Sequence, residues 1–578
     1  MRVLCFAPHA GIWQHAFPEA LALDAQRDPN TDVVYITCGG ALDSFCVTMA
    51  SRRLTADSSQ TEKQAVCAKC QSARDRIRRG FHFPGYDFDT VLDERDSRRI
   101  EEILDGADRD RLMELEVDGI AVGRAALYEF LIERKKTSLA LNAAEWTAFR
   151  PRLANALRSS LAAAKILDHE RPDRIVVYNS LYSVNAVWRA HATKREIPFY
   201  FLHGGLSLVD RLEHLILGRD STLEFWNRII AAWPRFRDLP CNAVELEHVT
   251  QHFLRLFRGT SVFAYSAAKA EHTVDIRAKF GARHDQRLLC ATMSSYDEYV
   301  AAAAVGGVPD ASTLLFPTQL SWIQSLVGWI GDRPDLFLIV RVHPREFPNK
   351  RDGLKSEHAI ALERELAKLP PNVKVNWPSD ALSIYDLADQ VDVFLNAWST
   401  AGKEMSLLGL PVVTYCPTVI QYPTELNFVG TTLETYFAAI EAALADGWSF
   451  ERVRLTFRWC VLEYLRGLAD IHDGFEFSEE PATSVFERAR NLALAPEPLR
   501  QYHDLLRRPR TLAQRDRLHA LLHSGDETLL DVIPAPKREA VSLSDETEIL
   551  RRELKKLAAA LYPHATGEPR TGLRTHLA

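Results

Sequence analysis

The chain has 578 residues, with 70 Lys+Arg against 77 Asp+Glu and a formal net charge of −7, a balance that excludes a general nucleic-acid binder, whose phosphate contacts need a concentrated basic surface. Hydrophobic residues at 47% and charged residues at 25% exclude whole-chain disorder and supply apolar material for more than one core. No apolar run reaches the roughly 18 residues of a membrane span, and nine cysteines in so long a chain make no disulfide scaffold, so a cytoplasmic protein with reduced thiols is expected.

The opening Arg2–Pro8 reads as a buried first strand and not as a secretion signal, because His9 and Gly11 follow at once. His9 and His15 come directly after it. A second strand, Asp32–Cys38, leads into Gly39-Gly40, a turn or a place of close backbone approach. Cys38, Cys46, Cys67 and Cys70 then form C-x7-C-x20-C-x2-C, a Cys-rich insertion over residues 38–70. Four thiolates suit a closed structural zinc site, and an iron–sulfur cluster would use the same ligands; the plain alternative is a set of free buried thiols. After a long helical stretch come the strands Asp173–Asn179 and Phe199–His203, the latter ending in His203-Gly204-Gly205. These runs lack polar alternation, as expected for strands covered on both faces.

The amphipathic run Val244–Phe257 closes the first half. A second series of strands follows at Arg287–Met293, Asp335–Val342, Val373–Asn376, Val391–Asn396 and Pro411–Tyr415, separated by helix-like segments. Two Rossmann-like halves are predicted, over 1–265 and 266–470, with a helical extension and frayed tail over 471–578. Phe450–Leu468 reads as an apolar helix returning across both halves. In the extension, Leu505–His523 and Ser544–Leu561 read as helices joined by the linker Ile533–Pro536. The first carries Arg507, Arg508, Arg510, Arg515 and Arg517 beside leucines, which suits either an anionic membrane surface or a solvated helix face with a core stripe. The Leu550–Leu561 stripe suits dimerisation or docking on the body.

Two strand ends carry the chemistry. Leu338–Glu346 ends in His343-Pro344, flanked by Arg341 and Arg345; ligands of open α/β sheets collect beyond the carboxyl ends of strands, so His343 is placed to donate to a phosphate oxygen. The alternative is that His343 caps the next helix and the arginines are surface charges. Val391–Asn396 leads through Trp398 into Ser399-Thr400-Ala401-Gly402-Lys403-Glu404, where unpaired backbone donors at a helix start suit an anion. Small Gly402 would let a phosphate approach, and Glu404 would accept from a ribose diol or simply complement the helix dipole.

Taken together, Phe316–Ile323, Ile339–Glu346, Lys350-Arg351, Ser356, Asn372–Leu387 and Asp392–Val413 resemble the bacterial capsule-polysaccharide biosynthesis glycosyltransferases of GT-B fold, a family that includes Kdo transferases. The resemblance is clear over about 285–430, fainter at Val117–Gly123 (VDGIAVG) and Asn179–Tyr182, and does not reach the last hundred residues. It implies an α/β protein of GT-B architecture, two Rossmann-like domains facing a central cleft. It also implies a donor site built from His343, Ser399, Thr400 and Glu404. Inverting transfer needs a general base from the N-terminal half, for which the resemblance ranks Asp118 first, ahead of His9, His15 and His203. The expected partners are a nucleotide-sugar, with a CMP-activated ulosonic acid such as Kdo preferred, and a surface, capsular or lipid-linked glycan; no cofactor is needed for the transfer. The rival readings are a nucleotide-sugar 2-epimerase and a non-catalytic glycan- or partner-binding scaffold.

Overall fold

A computed structural model describes residues 1–261, 263–265, 267–477, 484–532, 538–563 and 573–577. The predicted linker Ile533–Pro536 lies outside the described residues.

The first sheet is built on β1 (Arg2–Phe6), flanked by β2 (Asp32–Ile36) and β3 (Arg174–Tyr178), with β4 (Phe199–Gly204) beyond β3, all parallel. A strand absent from the sequence reading, β5 (His214–Arg219), adds antiparallel to β4, with Leu202 opposite Leu217. The second sheet holds β6 (Arg287–Thr292), β7 (Leu336–Arg341), β8 (Val373–Asn376), β9 (Val393–Asn396), β10 (Val412–Thr414) and the two-residue β11 (Phe428–Val429). Its order is β11-β10-β9-β6-β7-β8, wholly parallel. That is the dinucleotide-fold order, and it reverses between β6 and β9; the first sheet reverses between β1 and β3. Register brings the chemistry together: Thr292 stands opposite both Arg341 and Asn396, so the loops after β6, β7 and β9 leave the sheet abreast.

The predicted helix Phe450–Leu468 is α-helical only over Phe450–Val461; Leu462–Arg466 is a π turn, and β12 (Ala469–Asp470) then pairs antiparallel with β5. The chain thus returns from the second sheet to the edge of the first.

The extension behaves differently from its membrane reading. Its first helical stretch breaks around Pro509 into Glu497–Arg507 and Arg515–Ser524, because proline cannot donate within a helix. Leu512, Leu518, Leu521, Leu522 and Leu529 are buried with Val3, Cys5, Val176 and Tyr200, covering one face of the first sheet. The arginines serve this docking. Arg517 donates to the carbonyls of Leu468, Arg466 and Leu529, Arg515 to that of Arg27 and Arg508 to that of Gly80, while Arg507 pairs with Glu476. Arg510 alone of the five lacks such a tie among the described contacts and is exposed. The helix Leu543–Leu561 also docks, burying Leu550, Leu554, Leu557 and Leu561. The predicted frayed tail includes a short helix, Leu573–Leu577, with Leu577 buried. Among the described residues no helix is long and apolar enough to cross a membrane.

Candidate functional site

A cavity of about 270 Å³ opens between the two sheets at the β6/β9 reversal. Thr292 and Met293 at the end of β6, Arg341, His343 and Pro344 at the end of β7, and Trp398, Ser399 and Thr400 after β9 line one wall; Leu206, Leu208, Arg211 and Trp226 line the other. His343 accepts the Arg345 backbone N–H at Nδ1 (3.3 Å), which assigns its proton to Nε2. Burial first, and then Arg345, Arg341, Lys135 and Arg351, push its pKa down to about 3. His343 is therefore a neutral hydrogen-bond donor, not a cation. The same ring also caps the turn Pro344–Glu346, as the alternative reading had it, whereas Arg341 and Arg345 are buried and not surface charges.

Ser399 is buried, and its Oγ accepts from Ala401 N at 3.3 Å, while Thr400 is exposed at the mouth. Glu404 lies along the same wall; Oε2 accepts from the Tyr385 hydroxyl (2.7 Å) and Oε1 from Thr400 (3.1 Å). A carboxylate has about four lone-pair sites, so both oxygens retain acceptor capacity. Arg341 is spoken for by Asn376 and the Leu382 carbonyl.

Two predicted donor residues do other work. Arg345 does not line the cavity: its guanidinium pairs with buried Asp297 (2.8 Å) and donates to Tyr265 and the Ile132 carbonyl. An ion pair between segments 48 positions apart carries no local sequence signal. Gly402 is small for packing and not for phosphate: a Cβ there would meet the Tyr422 hydroxyl at 2.2 Å and Asn396 Nδ2 at 2.4 Å.

On the N-terminal side, Asp118 is not brought to the cavity. It is half-exposed, held bidentately by Arg99 (2.8 and 3.1 Å), which keeps its carboxyl below the usual range. Val117–Ile120 closes as a two-residue turn with Asp118 (φ 53°) and Gly119 (φ 72°) both left-handed, the conformation that Asp-Gly favours. Gly39-Gly40 is also a turn, packed on Asp87 and Asp89.

The three histidines gather instead at the ends of β1 and β4. His15 stacks on Tyr178 (4.4 Å), and His203 lies 5.7 Å from the same ring. His203 donates from Nδ1 to the Gly204 carbonyl (3.0 Å), which leaves the Nε2 lone pair available. Burial and then Arg211, a cavity residue, lower its pKa to about 4. His15 is pushed to about 3, chiefly by burial, and His9 to about 4 by burial alone. His9 is buried with neither ring nitrogen hydrogen-bonded, facing a separate small void beside Glu129 and Arg152.

The cysteines do not fit a metal cage. Zn–S bonds of about 2.3 Å bring tetrahedral sulfurs to roughly 3.8 Å of one another. Among the described residues, no three of Cys38, Cys46, Cys67 and Cys70 place their sulfurs within 4.8 Å of one another. Cys70 Sγ accepts from Gly11 N (3.1 Å) and Cys67 Sγ contacts Gln71. Burial raises all four thiols, Cys46 to about 12. As placed, the four sulfurs are not gathered closely enough to share a zinc ion or an iron–sulfur cluster.

The sequence reading missed four cavity groups: Arg211, His252, Tyr464 and the buried Lys403–Glu463 ion pair (2.6 Å). Glu463 and Tyr464 both belong to the π turn, an irregularity found frequently at functional sites. A Glu inside the apolar run FRWCVLEYL was the available signal.

No protein-family model matches the sequence, and no curated protein matches it. Solved structures that align include Thermosulfurimonas dismutans KpsC, a beta Kdo 2,4 transferase, at 16% identity over 50% of this chain and 80% of that chain (TM-score 0.30). A Methanocaldococcus jannaschii UDP-GlcNAc 2-epimerase bound to UDP-GlcNAc and UDP aligns at 14% identity over 79% and 98% (0.26). Spinosyn rhamnosyltransferase SpnG with thymidine diphosphate aligns at 10% over 81% and 97% (0.23). The fold assignment rests on the sheets themselves: the chain is an α/β protein of GT-B architecture, two Rossmann-like domains that face one cleft.

Proposed function

We propose that the protein is a glycosyltransferase that moves a sugar from a nucleotide donor to a surface or capsular glycan, with a CMP-activated ulosonic acid such as Kdo as the donor. The observation that carries this reading is the convergence of His343, Ser399, Thr400 and Glu404 on the strand-order reversal, across the cavity from Arg211. A neutral His343 and the Ser399 hydroxyl donate to the leaving phosphate, joined by Thr400 once its hydroxyl turns from Glu404 to the phosphate, and Glu404 accepts from the ribose diol. Arg211 supplies a positive charge for the carboxylate that distinguishes an ulosonic acid from a neutral hexose.

In the transfer, the acceptor hydroxyl oxygen bonds to the anomeric carbon as the bond from that carbon to the phosphate oxygen breaks, and the phosphate leaves with the electron pair. The hydroxyl proton passes to a base. His203 is the base in this reading, because its tautomer leaves Nε2 free to accept; His9 has no partner to orient it. Neither His203 nor Asp118 lines the cavity itself, but His203 sits beside the lining residue Arg211, whereas Asp118 is exposed and held by Arg99.

The test is thermal stabilisation by CMP, UDP, GDP and dTDP, followed by turnover with the preferred nucleotide-sugar. Stabilisation by CMP alone and acceptor-dependent CMP release support the reading. Conversion of a UDP-sugar without any acceptor would move it to epimerisation. No response to any nucleotide would leave a glycan- or partner-binding scaffold.

A further inference from the structure

Outside the cleft lining, the extension meets the first sheet at a cluster that the function does not use. His519 and His523 lie one turn apart on the helix Arg515–Ser524, so their side chains share a face. Their rings stack at 3.6 Å. His519 Nε2 lies 2.8 Å and His523 Nε2 3.9 Å from one atom, Oδ2 of Asp28, in the turn before β2. The other carboxylate oxygen, Oδ1, is occupied by the Asn30 backbone N–H at 2.6 Å, which aims Oδ2 at the imidazoles. The Thr31 hydroxyl stands 3.2 Å from His523 Nε2.

We propose that Asp28, His519 and His523 form a divalent transition-metal site that clamps the C-terminal extension to the first sheet. Ligand bonds of about 2.0–2.2 Å in a tetrahedral shell place donor atoms roughly 3.3–3.5 Å apart. The observed 2.8 and 3.9 Å bracket that spacing, and the ion enters as the two rings, now stacked within 21° of parallel, turn to aim both Nε2 lone pairs at it. Among the described residues this is the only group of three or more His, Cys, Asp or Glu ligand atoms so gathered. Two imidazoles and one carboxylate suit Zn²⁺, Co²⁺ or Ni²⁺, and not Ca²⁺ or Mg²⁺, which take oxygen ligands. A water completes the shell, with the Thr31 hydroxyl beside it as a hydrogen-bond partner. The hydrogen bond fixing Asp28 is the kind of outer contact that orients a metal's carboxylate. The helix already touches the same turn through Gln26 Nε2 to the Leu518 carbonyl (3.2 Å) and Arg515 to the Arg27 carbonyl. The metal would be a third tie.

The test uses chelator-stripped full-length protein titrated with ZnCl₂ and CoCl₂ alone, with bound metal, melting temperature and the cobalt spectrum as readouts. Expected are one equivalent of metal per chain, a rise in melting temperature, and a cobalt spectrum without a thiolate charge-transfer band. His519→Gln with His523→Gln should lose all three responses, while Cys67→Ser with Cys70→Ser keeps them. Asp28→Asn, which retains an acceptor for Asn30 N–H, should weaken affinity by about tenfold or more. Metal-free wild type after titration, uptake retained by the histidine variant, or uptake lost only with the cysteines would each overturn the proposal and leave the triad as a hydrogen-bonded contact.

Discussion

Nζ of Lys403 lies 2.6 Å from Oε1 and 2.5 Å from Oε2 of Glu463, with both side chains buried in the wall of the cleft. The pair joins the helix Ala401–Leu407, which carries Glu404, to the π turn that leads back to the first sheet. Burial pushes the Glu463 carboxyl up and Lys403 pulls it down, with burial the larger effect. Breaking a buried pair by removing one partner strands a charge, at about 3–5 kcal/mol. Lys403→Met is therefore expected to lower the denaturant midpoint strongly, and adding Glu463→Leu should recover most of the loss. Additive losses in the double variant would refute the coupling.

His343→Ala should abolish nucleotide binding with little loss of stability, because the side chain is half-buried at a strand end. Stabilisation by a ligand at 100 times its dissociation constant is about 2.7 kcal/mol; the variant should show none. With the His343 pKa pushed to about 3, the donor proton on Nε2 needs no protonation event. Nucleotide affinity should stay flat from pH 8 to 5 once the nucleotide's own ionisation is accounted for. A gain in affinity on acidification through pH 6.5 would show a cationic histidine and contradict the tautomer drawn above.

The base assignment has a pair of contrasting variants. His203→Gln should lower turnover by about a hundredfold or more with nucleotide affinity unchanged. Because the active form is the neutral one and the pKa is held near 4, the rate should fall only as pH drops through about 4. Asp118→Asn loses an exposed ion pair worth about 0–1 kcal/mol, and Asn tolerates the left-handed turn, so turnover should not change. A large loss with Asp118→Asn would return the role to that carboxylate.

Glu19, buried beneath the first sheet, accepts the Tyr178 backbone N–H at 3.1 Å, and burial pushes its carboxyl up to about 8. Its folded pKa exceeds its ordinary value of 4.5, so the native state holds the proton that the unfolded chain gives up between these values. That contribution to stability is full below about pH 4.5 and is lost as pH rises through about 8. Glu19→Gln cannot ionise and should gain on wild type by on the order of a few kcal/mol between pH 5 and 9, read from denaturation midpoints. Parallel pH curves for the two proteins would show Glu19 unshifted.

The parallel core of both sheets was legible because strands covered on both faces read as unbroken apolar runs. Short β11 and β12 carry no such run, and β5, though apolar, begins at His214 only ten residues after β4 and pairs antiparallel with it, outside the strand–helix–strand rhythm of the other strands. His343 and Ser399 were legible because strand ends in this architecture face the ligand. Asp118 was misplaced by resemblance, although Val-Asp-Gly-Ile already has the chemistry of a tight turn. Arg508, Arg515 and Arg517 of the extension read as a surface because carbonyl acceptors 12 to 488 positions away leave no mark on local sequence.

The pairing of β12 with β5 sets a timetable for biosynthesis. Ala469 lies opposite Leu215, and Leu512–Leu529 complete the layer over one face of the first sheet, so β5 waits for chain made roughly 250 residues later. At about 5–20 residues per second, a ribosome needs on the order of ten to fifty seconds to supply it. Throughout that interval the nascent sheet has one open edge and one apolar face covered only in part, by the helix Trp13–Asp24. A chaperone or ribosome-bound factor has that long to shield it, and a pause in translation before residue 469 should raise aggregation more than a pause after residue 530.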